Sequence, residues 1–199
     1  FCACGAQNFL FETLAQLDDL LPAVALIRQQ VPGARIFVSF AAFSDGYTQK
    51  GFDYRDLLRR AAQVEGIEAV GLNCVCGPSH VYRLLSQMDR TGLRLLAMPN
   101  SGYPANVGGR TVYEDNPAYF AAKLCDIASL GVPILGGCCG TTPAHIAMAV
   151  HAVEGKPSQE AAPPTPSLQQ ARRQGPSPFL NGMETGCLLY TFSEPTRLR

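Results

Sequence analysis

An excess of charge of either sign is missing from this chain: 16 basic and 16 acidic side chains cancel over its 199 residues. Holding nucleic acid by phosphate neutralisation leaves a basic surplus, so that class is excluded. Long apolar runs are missing too, and none approaches the roughly 20 residues that a membrane span needs. The N-terminus, Phe1-Cys2-Ala3-Cys4-Gly5, has no basic segment followed by an apolar stretch, so no export signal is expected. Charged residues make up only 16 % and apolar residues 47 %, a globular composition with enough apolar side chains for a core. The expectation is a soluble, cytoplasmic protein with one domain, or one domain and a tail.

Eight cysteines are present, well below the density of a disulfide scaffold. Cys138 and Cys139 are adjacent, and neighbouring cysteines rarely bridge each other because the geometry is strained. In a reducing compartment such a pair points to metal binding or redox chemistry rather than stapling.

From residue 9 to 155 a short apolar run followed by a capped helix recurs five times. The runs are Phe9 to Glu12, Arg35 to Phe40, Ala69 to Cys74, Leu93 to Met98 and Val132 to Gly137. After the first, Leu14, Leu17, Leu20, Leu21, Val24 and Ile27 form a helical stripe, and Thr13 with Gln16 has the form of a capping box. Asp53, Asn116-Pro117 and Thr142-Pro143 mark later helix starts, and Gly77-Pro78 opens another. Gly33, Gly66, Gly92, Gly131 and Gly155 are expected just past helix ends. Strict alternation of strand and helix implies parallel strands. Five units are visible, whereas a closed barrel has eight and typically about 250 residues. The fold class read from this is α/β, with residues 1–155 forming one body. Residues 156–178 read as a Pro-rich linker, and 179–199 as a short tail that regains apolar character.

Three cysteines fall at C-terminal ends of expected strands: Cys74, and Cys138 with Cys139. In parallel α/β folds that edge carries active sites. Gly136 and Gly137 are expected to let the backbone turn and bring both thiols to one point. Three thiolates suit Zn²⁺ and leave its fourth position open, as in catalytic sites. Such a centre carries net negative charge and is a poor Lewis acid for hydrolysis. It can still take a further thiol, lower its pKa from roughly 8.5 and keep the sulfur electron-rich. That favours attack by a substrate thiolate on an alkyl group. The competing reading is inert packing, common for buried cysteine and assigned to Cys125; Cys76 is placed in a turn. His145 and His151, six apart, are read as solvated or capping.

Three segments carry a family resemblance: Gly71-Leu72-Asn73-Cys74, Met98-Pro99-Asn100-Ser101-Gly102, and Gly136-Gly137-Cys138-Cys139-Gly140-Thr141-Thr142-Pro143-Ala144-His145-Ile146. Together with Gly109-Arg110-Thr111-Val112-Tyr113 and Tyr119-Phe120, they resemble the homocysteine-binding domain of homocysteine S-methyltransferases, from about Phe9 to Val153. The resemblance implies a zinc-dependent (β/α)8 TIM barrel, here its last five βα units, that methylates homocysteine to methionine. It implies zinc on Cys74, Cys138 and Cys139, the substrate amino group on Glu12, and Asn100 near the metal as a further substrate contact. Without the family, Glu12 reads as an anion at a helix start and Pro99 to Gly102 as a turn. Arg110 and Tyr113 are placed over the site, at the donor entrance.

Members of that family begin with three further βα units; this chain starts where the fourth strand would, so it reads as N-terminally truncated, with a missing N-terminal barrel segment or a reductase domain as the expected partner. The stretch Phe179 to Gly186 and the apolar run after it loosely resemble the start of a methylenetetrahydrofolate reductase domain, which points to a folate-linked donor. The donor alternatives are methyl-folate or methylcobalamin, S-methylmethionine and betaine. Two rival readings stand beside the methyltransferase: a non-catalytic zinc-binding fragment, and a redox protein using Cys138 and Cys139.

Overall fold

The computed structural model describes residues 1–113 and 115–154; the expected linker and tail lie outside the described residues. Five parallel strands, β1 (Asn8–Leu14), β2 (Arg35–Phe40), β3 (Ile67–Asn73), β4 (Leu95–Met98) and β7 (Ile134–Leu135), lie side by side in chain order. Helices α1 (Leu21–Gln30), α2 (Tyr54–Ala62), α3 (Pro78–Ser86), α4 (Pro117–Ser129) and α5 (Pro143–Val153) follow them in turn. A doubly wound sheet reverses its strand order; this one does not, so it is a sector of a barrel wall. The sheet remains open among the described residues, with β1 and β7 as its edges.

One face of the sheet makes the core. Ile36, Val38, Phe40, Val70, Leu72, Leu95 and Ala97 pack in a single cluster with Val24, Leu57, Leu58, Leu85, Phe120, Leu124 and Ile127 from the helices. Each large side chain buried there contributes about 1.5–3 kcal/mol. On the opposite face stand Leu10, Glu12, Ser39, Gly71, Asn73 and Met98. Strand residues alternate between faces, and Leu10 remains 48 % exposed. Gly71 has to be glycine, because a Cβ there would meet the backbone of Leu96 on the neighbouring strand.

Several helix starts follow the expected capping chemistry. Asp53 accepts from the Arg55 N–H at 2.8 Å, Asn116 accepts from the Tyr119 N–H at 3.0 Å, and Pro117 and Pro143 occupy first turns. The first helix departs from expectation. Thr13 belongs to β1, and α1 starts only at Leu21, after a short 3-10 turn over Asp18–Leu20. Pro22, which lacks an N–H and is tolerated only in a first turn, sets that start. Leu17, Leu20, Val24 and Ile27 are buried as the stripe requires, but Leu21 is exposed. The expected capping box at Thr13 is therefore wrong, and Glu12 lies in a strand rather than beside a helix N-terminus.

The helix-ending glycines need a partial correction. Gly131 follows α4 closely with φ 82°, whereas α2 and α3 stop earlier, at Gln63 and Gln87. Gly66 and Gly92 shape the later turns into the next strands, Gly33 has no positive φ, and Gly155 is outside the described residues. The long connection after β4 has regular structure of its own. It holds an antiparallel hairpin, β5 (Pro104–Val107) and β6 (Arg110–Tyr113). Its two-residue turn, Gly108-Gly109, has φ of 59° and 77°, the left-handed pair that tight hairpins need.

Candidate metal centre

The site forms where β1, β3, β4 and β7 end. β3 stops at Asn73, and the chain then passes through two left-handed residues, Cys74 (φ 55°) and Val75 (φ 57°). That conformation is uncommon for any side chain and a marked outlier for a β-branched one, and such strain concentrates at functional sites. It is held by bonds to the β4 segment: Cys74 N–H donates to Met98 O at 3.1 Å, and Cys76 O accepts from Asn100 N–H at 3.1 Å.

Pro99, Asn100 and Ser101 act as a splint between the two cysteine segments. On the far side, Cys138 N–H donates to Pro99 O (2.9 Å), Cys139 N–H to Asn100 Oδ1 (3.2 Å), and Ser101 N–H to Cys139 O (3.0 Å). Asn100 and Ser101 are each only 2 % exposed, so these bonds are shielded from water. The sharp turn falls at Gly140 (φ 76°) and not, as expected, at Gly136 or Gly137, neither of which has a positive φ. A Cβ on Gly140 would lie 2.3 Å from Ser101 Oγ and 2.5 Å from Tyr113 Cβ. After the turn, Thr142 and His145 form a capping box at the start of α5. The Thr142 N–H and hydroxyl both donate to His145 Nδ1, at 3.2 and 2.8 Å. His145 is fully buried against Phe120, so of its two expected roles capping holds and solvation does not; His151 is exposed.

The result is a cluster of three sulfurs, Cys74, Cys138 and Cys139, all within 4.8 Å of one another. Cys74 Sγ and Cys139 Sγ are 3.6 Å apart. Tetrahedral zinc, with Zn–S bonds of about 2.3 Å, spaces its sulfurs about 3.8 Å apart, so the residues fit a thiophilic divalent cation. No other group of three or more His, Cys, Asp or Glu side chains comes together this way among the described residues. Cys76, two positions from Cys74, points elsewhere: its Sγ donates to Ala42 O, and burial pushes its thiol up to about 12. Cys125 is buried between α4 and α5, with its Sγ donating to Ala152 O.

Of the three thiols, Cys139 is shifted toward the thiolate while Cys74 and Cys138 are shifted toward the thiol. The Cys139 thiol is held down to about 2, because Cys138 and then Cys74 hydrogen-bond to it, burial opposing, with Tyr113 a further favourable partner. Cys74 is held well above the ordinary thiol range by its bonds to Cys138 and Cys139 and by burial, and Cys138 is raised chiefly by its bond to Cys139.

Asn73, the third residue of the Gly71-Leu72-Asn73-Cys74 motif, bridges three segments around the cluster. It is 1 % exposed. Its Oδ1 accepts from Thr13 N–H (2.8 Å) and Ser39 O–H (2.7 Å), and its Nδ2 donates to Thr13 Oγ1 (2.8 Å). The same Nδ2 lies 3.5 Å from Glu12 Oε2 and 3.8 Å from Cys138 Sγ. An exposed carboxylate and a cluster sulfur thus share one amide. β1 carries a bulge here, with Phe11 opposite Val38 but Leu14 opposite Phe40, and Thr13 sits in it at φ 61°.

A barrel-wall sector that gathers three thiols at the C-terminal ends of its strands defines a class of α/β protein with a cysteine cluster that could hold a metal ion. Residues 1–153 match the family described as homocysteine S-methyltransferase, and the chain belongs to that family. It is 32 % identical over 148 residues to a methionine synthase of Mycobacterium tuberculosis (strain ATCC 25618 / H37Rv), covering 71 % of this chain and 12 % of that protein. To the homocysteine S-methyltransferase of Escherichia coli (strain K12) it is 30 % identical over 145 residues, covering 72 % of this chain and 46 % of the other. The apo crystal structure of the E. coli homocysteine methyltransferase MmuM superposes with a TM-score of 0.58 at 26 % identity, over 75 % of this chain and 51 % of that one. Its metallated form gives 0.57 at 27 % identity, over 74 % and 45 %. The chain therefore spans about half the length of the E. coli proteins it matches, or less. No helix among the described residues is long and apolar enough to cross a membrane.

Proposed function

We propose that this chain supplies the thiol-activating part of a homocysteine S-methyltransferase, with zinc held by Cys74, Cys138 and Cys139. The observation that carries this reading is the convergence of three sulfurs within 4.8 Å from segments far apart in sequence. The metallated form of the E. coli relative supports it. Zinc, when bound, would lower the pKa of the homocysteine thiol and leave its sulfur a nucleophile for a methyl carbon at neutral pH.

The protein's own residues then orient the substrate. Glu12 is an exposed carboxylate tied through Asn73 to Cys138, and we assign it to the substrate ammonium. Asn100 has its Oδ1 engaged by Cys139, so its Nδ2 is the end assigned to a substrate contact. Fixing both the sulfur and the amino end removes rotational freedom before the donor arrives, which is where positioning lowers a barrier.

Methionine formation from homocysteine tests this reading, with methyl-folate, methylcobalamin, S-methylmethionine and betaine each offered to the zinc-loaded protein. One donor is expected to support turnover. Glu12→Gln should raise KM for homocysteine about tenfold or more while kcat changes little, the loss of one charge-assisted bond. Zinc bound in full with no turnover from any donor would make the chain a non-catalytic zinc-binding segment.

A further inference from the structure

The Asn73 amide is fixed in one orientation by its neighbours. The Thr13 backbone N–H can only donate, so the atom it meets at 2.8 Å is the amide oxygen. The buried Ser39 hydroxyl donates to the same Oδ1 at 2.7 Å, which fills both of its lone pairs. Nδ2 therefore faces the other way, and one of its two hydrogens goes to Thr13 Oγ1 at 2.8 Å.

One hydrogen is left for two acceptors, Glu12 Oε2 at 3.5 Å and Cys138 Sγ at 3.8 Å. Both contacts are long, as they are when a single N–H is divided between two partners. Asn73 is 1 % exposed, so bulk water is not a third partner. A carboxylate and a metal-bound thiolate are both ionised acceptors, and whichever bond strengthens does so at the expense of the other. Glu12 is exposed, so a ligand can reach it. An ammonium paired with Glu12 engages the carboxylate oxygens and offsets their charge, which leaves the Asn73 hydrogen to the sulfur.

We propose that Asn73 is a positioning residue that couples the amino-binding carboxylate to the metal centre. Its shared N–H passes from Glu12 to Cys138 when an ammonium occupies Glu12. The inference rests on the methyltransferase reading above and adds to it a preference among thiols. An N–H on Cys138 draws charge from that sulfur, leaves the ion more electron-poor and favours the thiolate form of a bound substrate. Thiols with an amino group in reach of Glu12 are thereby activated more than thiols that lack one, whatever their relative affinities. The coupling is reciprocal: a sulfur that holds the N–H leaves Glu12 freer for an ammonium.

The test is nuclear magnetic resonance of the full chain loaded with spin-active cadmium, a thiophilic divalent ion. An N–H bonded to a metal-bound sulfur shows scalar coupling between its proton and the metal. The Asn73 side-chain protons are assigned through their contacts with Thr13 and Ser39, and Asn73 is left unchanged because its other bonds hold β1. Homocysteine should raise the coupling about twofold, because a proton divided between two acceptors comes to rest on one. Glu12→Gln, at an exposed position, should show the raised value with no ligand added, since a neutral amide is the weaker acceptor. The same thiol without its amino group should bind cadmium and leave the coupling as it was. A coupling that either homocysteine or Glu12→Gln leaves unchanged, or that is absent throughout, overturns the inference and leaves the metal reading intact. An equal rise with the desamino thiol also overturns it, since the amino group is then not the trigger. A chain that takes up no cadmium, or whose cadmium signal homocysteine does not move, overturns the methyltransferase reading and this inference together.

Discussion

Asn73 and Thr13, sixty positions apart, exchange two hydrogen bonds of 2.8 Å, from the Thr13 N–H to Oδ1 and from Nδ2 to Thr13 Oγ1. This pairing holds Thr13 in a left-handed conformation inside the β1 bulge, and it anchors the strand that carries Glu12 to the strand that ends at Asn73, just before Cys74. Asn73→Ala leaves a part-buried N–H without its acceptor and a strained residue without support. Stability should fall by about 1–3 kcal/mol, read as a lower urea midpoint. Asn73→Asp keeps the acceptor for Thr13 N–H and Ser39 O–H but sets a buried carboxylate oxygen where Nδ2 lies 3.5 Å from Glu12 Oε2, so it should not restore the wild-type midpoint. Equal midpoints for wild type and Asn73→Ala would contradict this account.

A pH dependence follows from the cap of α2. Burial alone would raise the Asp53 carboxyl, but hydrogen bonds from the Arg55 side chain and backbone outweigh it and hold the group below its ordinary value. A carboxyl depressed on folding adds stability above its unfolded pKa of about 3.9, and that stability disappears as pH falls through the folded value. Asp53→Ala should cost about 0.5–2 kcal/mol at neutral pH. The gap between variant and wild type should close below pH 4, measured by denaturant titration across the acid range. A gap that widened there would carry the wrong sign.

Gly140 and Gly51 separate backbone strain from crowding. Both have positive φ, 76° and 81°, but a Cβ at Gly51 meets open space while one at Gly140 collides with Ser101 and Tyr113. Gly51→Ala should cost about 1–2 kcal/mol, the left-handed penalty alone. Gly140→Ala should cost more and should also weaken metal binding, because Ser101 holds the Cys139 carbonyl. Comparable losses in both, with metal binding unaffected, would show that the Gly140 turn is not coupled to the sulfurs.

The parts legible in the sequence were those with short-range causes. The run Arg35 to Phe40, the caps at Asp53, Asn116 and Thr142, and the cysteines at strand ends depend on neighbours or on strand polarity. The start of α1 was misplaced because Thr13 uses its hydroxyl on Asn73 in a different strand, and no local pattern records that. Leu14 to Ile27 kept a helical period across a strand end, a 3-10 turn and a helix, so periodicity alone could not mark the boundary. The role of Asn73 was invisible for the same reason, since its four partners come from three segments. The hairpin was missed although Gly108-Gly109 between short β-prone runs is a recognised turn signal.

The central claim, that Cys74 joins Cys138 and Cys139 in holding one ion, is tested most directly by zinc per chain. Elemental analysis of the reduced, folded protein should give about one zinc for wild type and for Cys76→Ser, whose sulfur points away from the cluster. Cys74→Ser should hold little, since a neutral hydroxyl replaces one of three thiolates. Zinc retained in full by Cys74→Ser, or absent from the folded wild type, would contradict it.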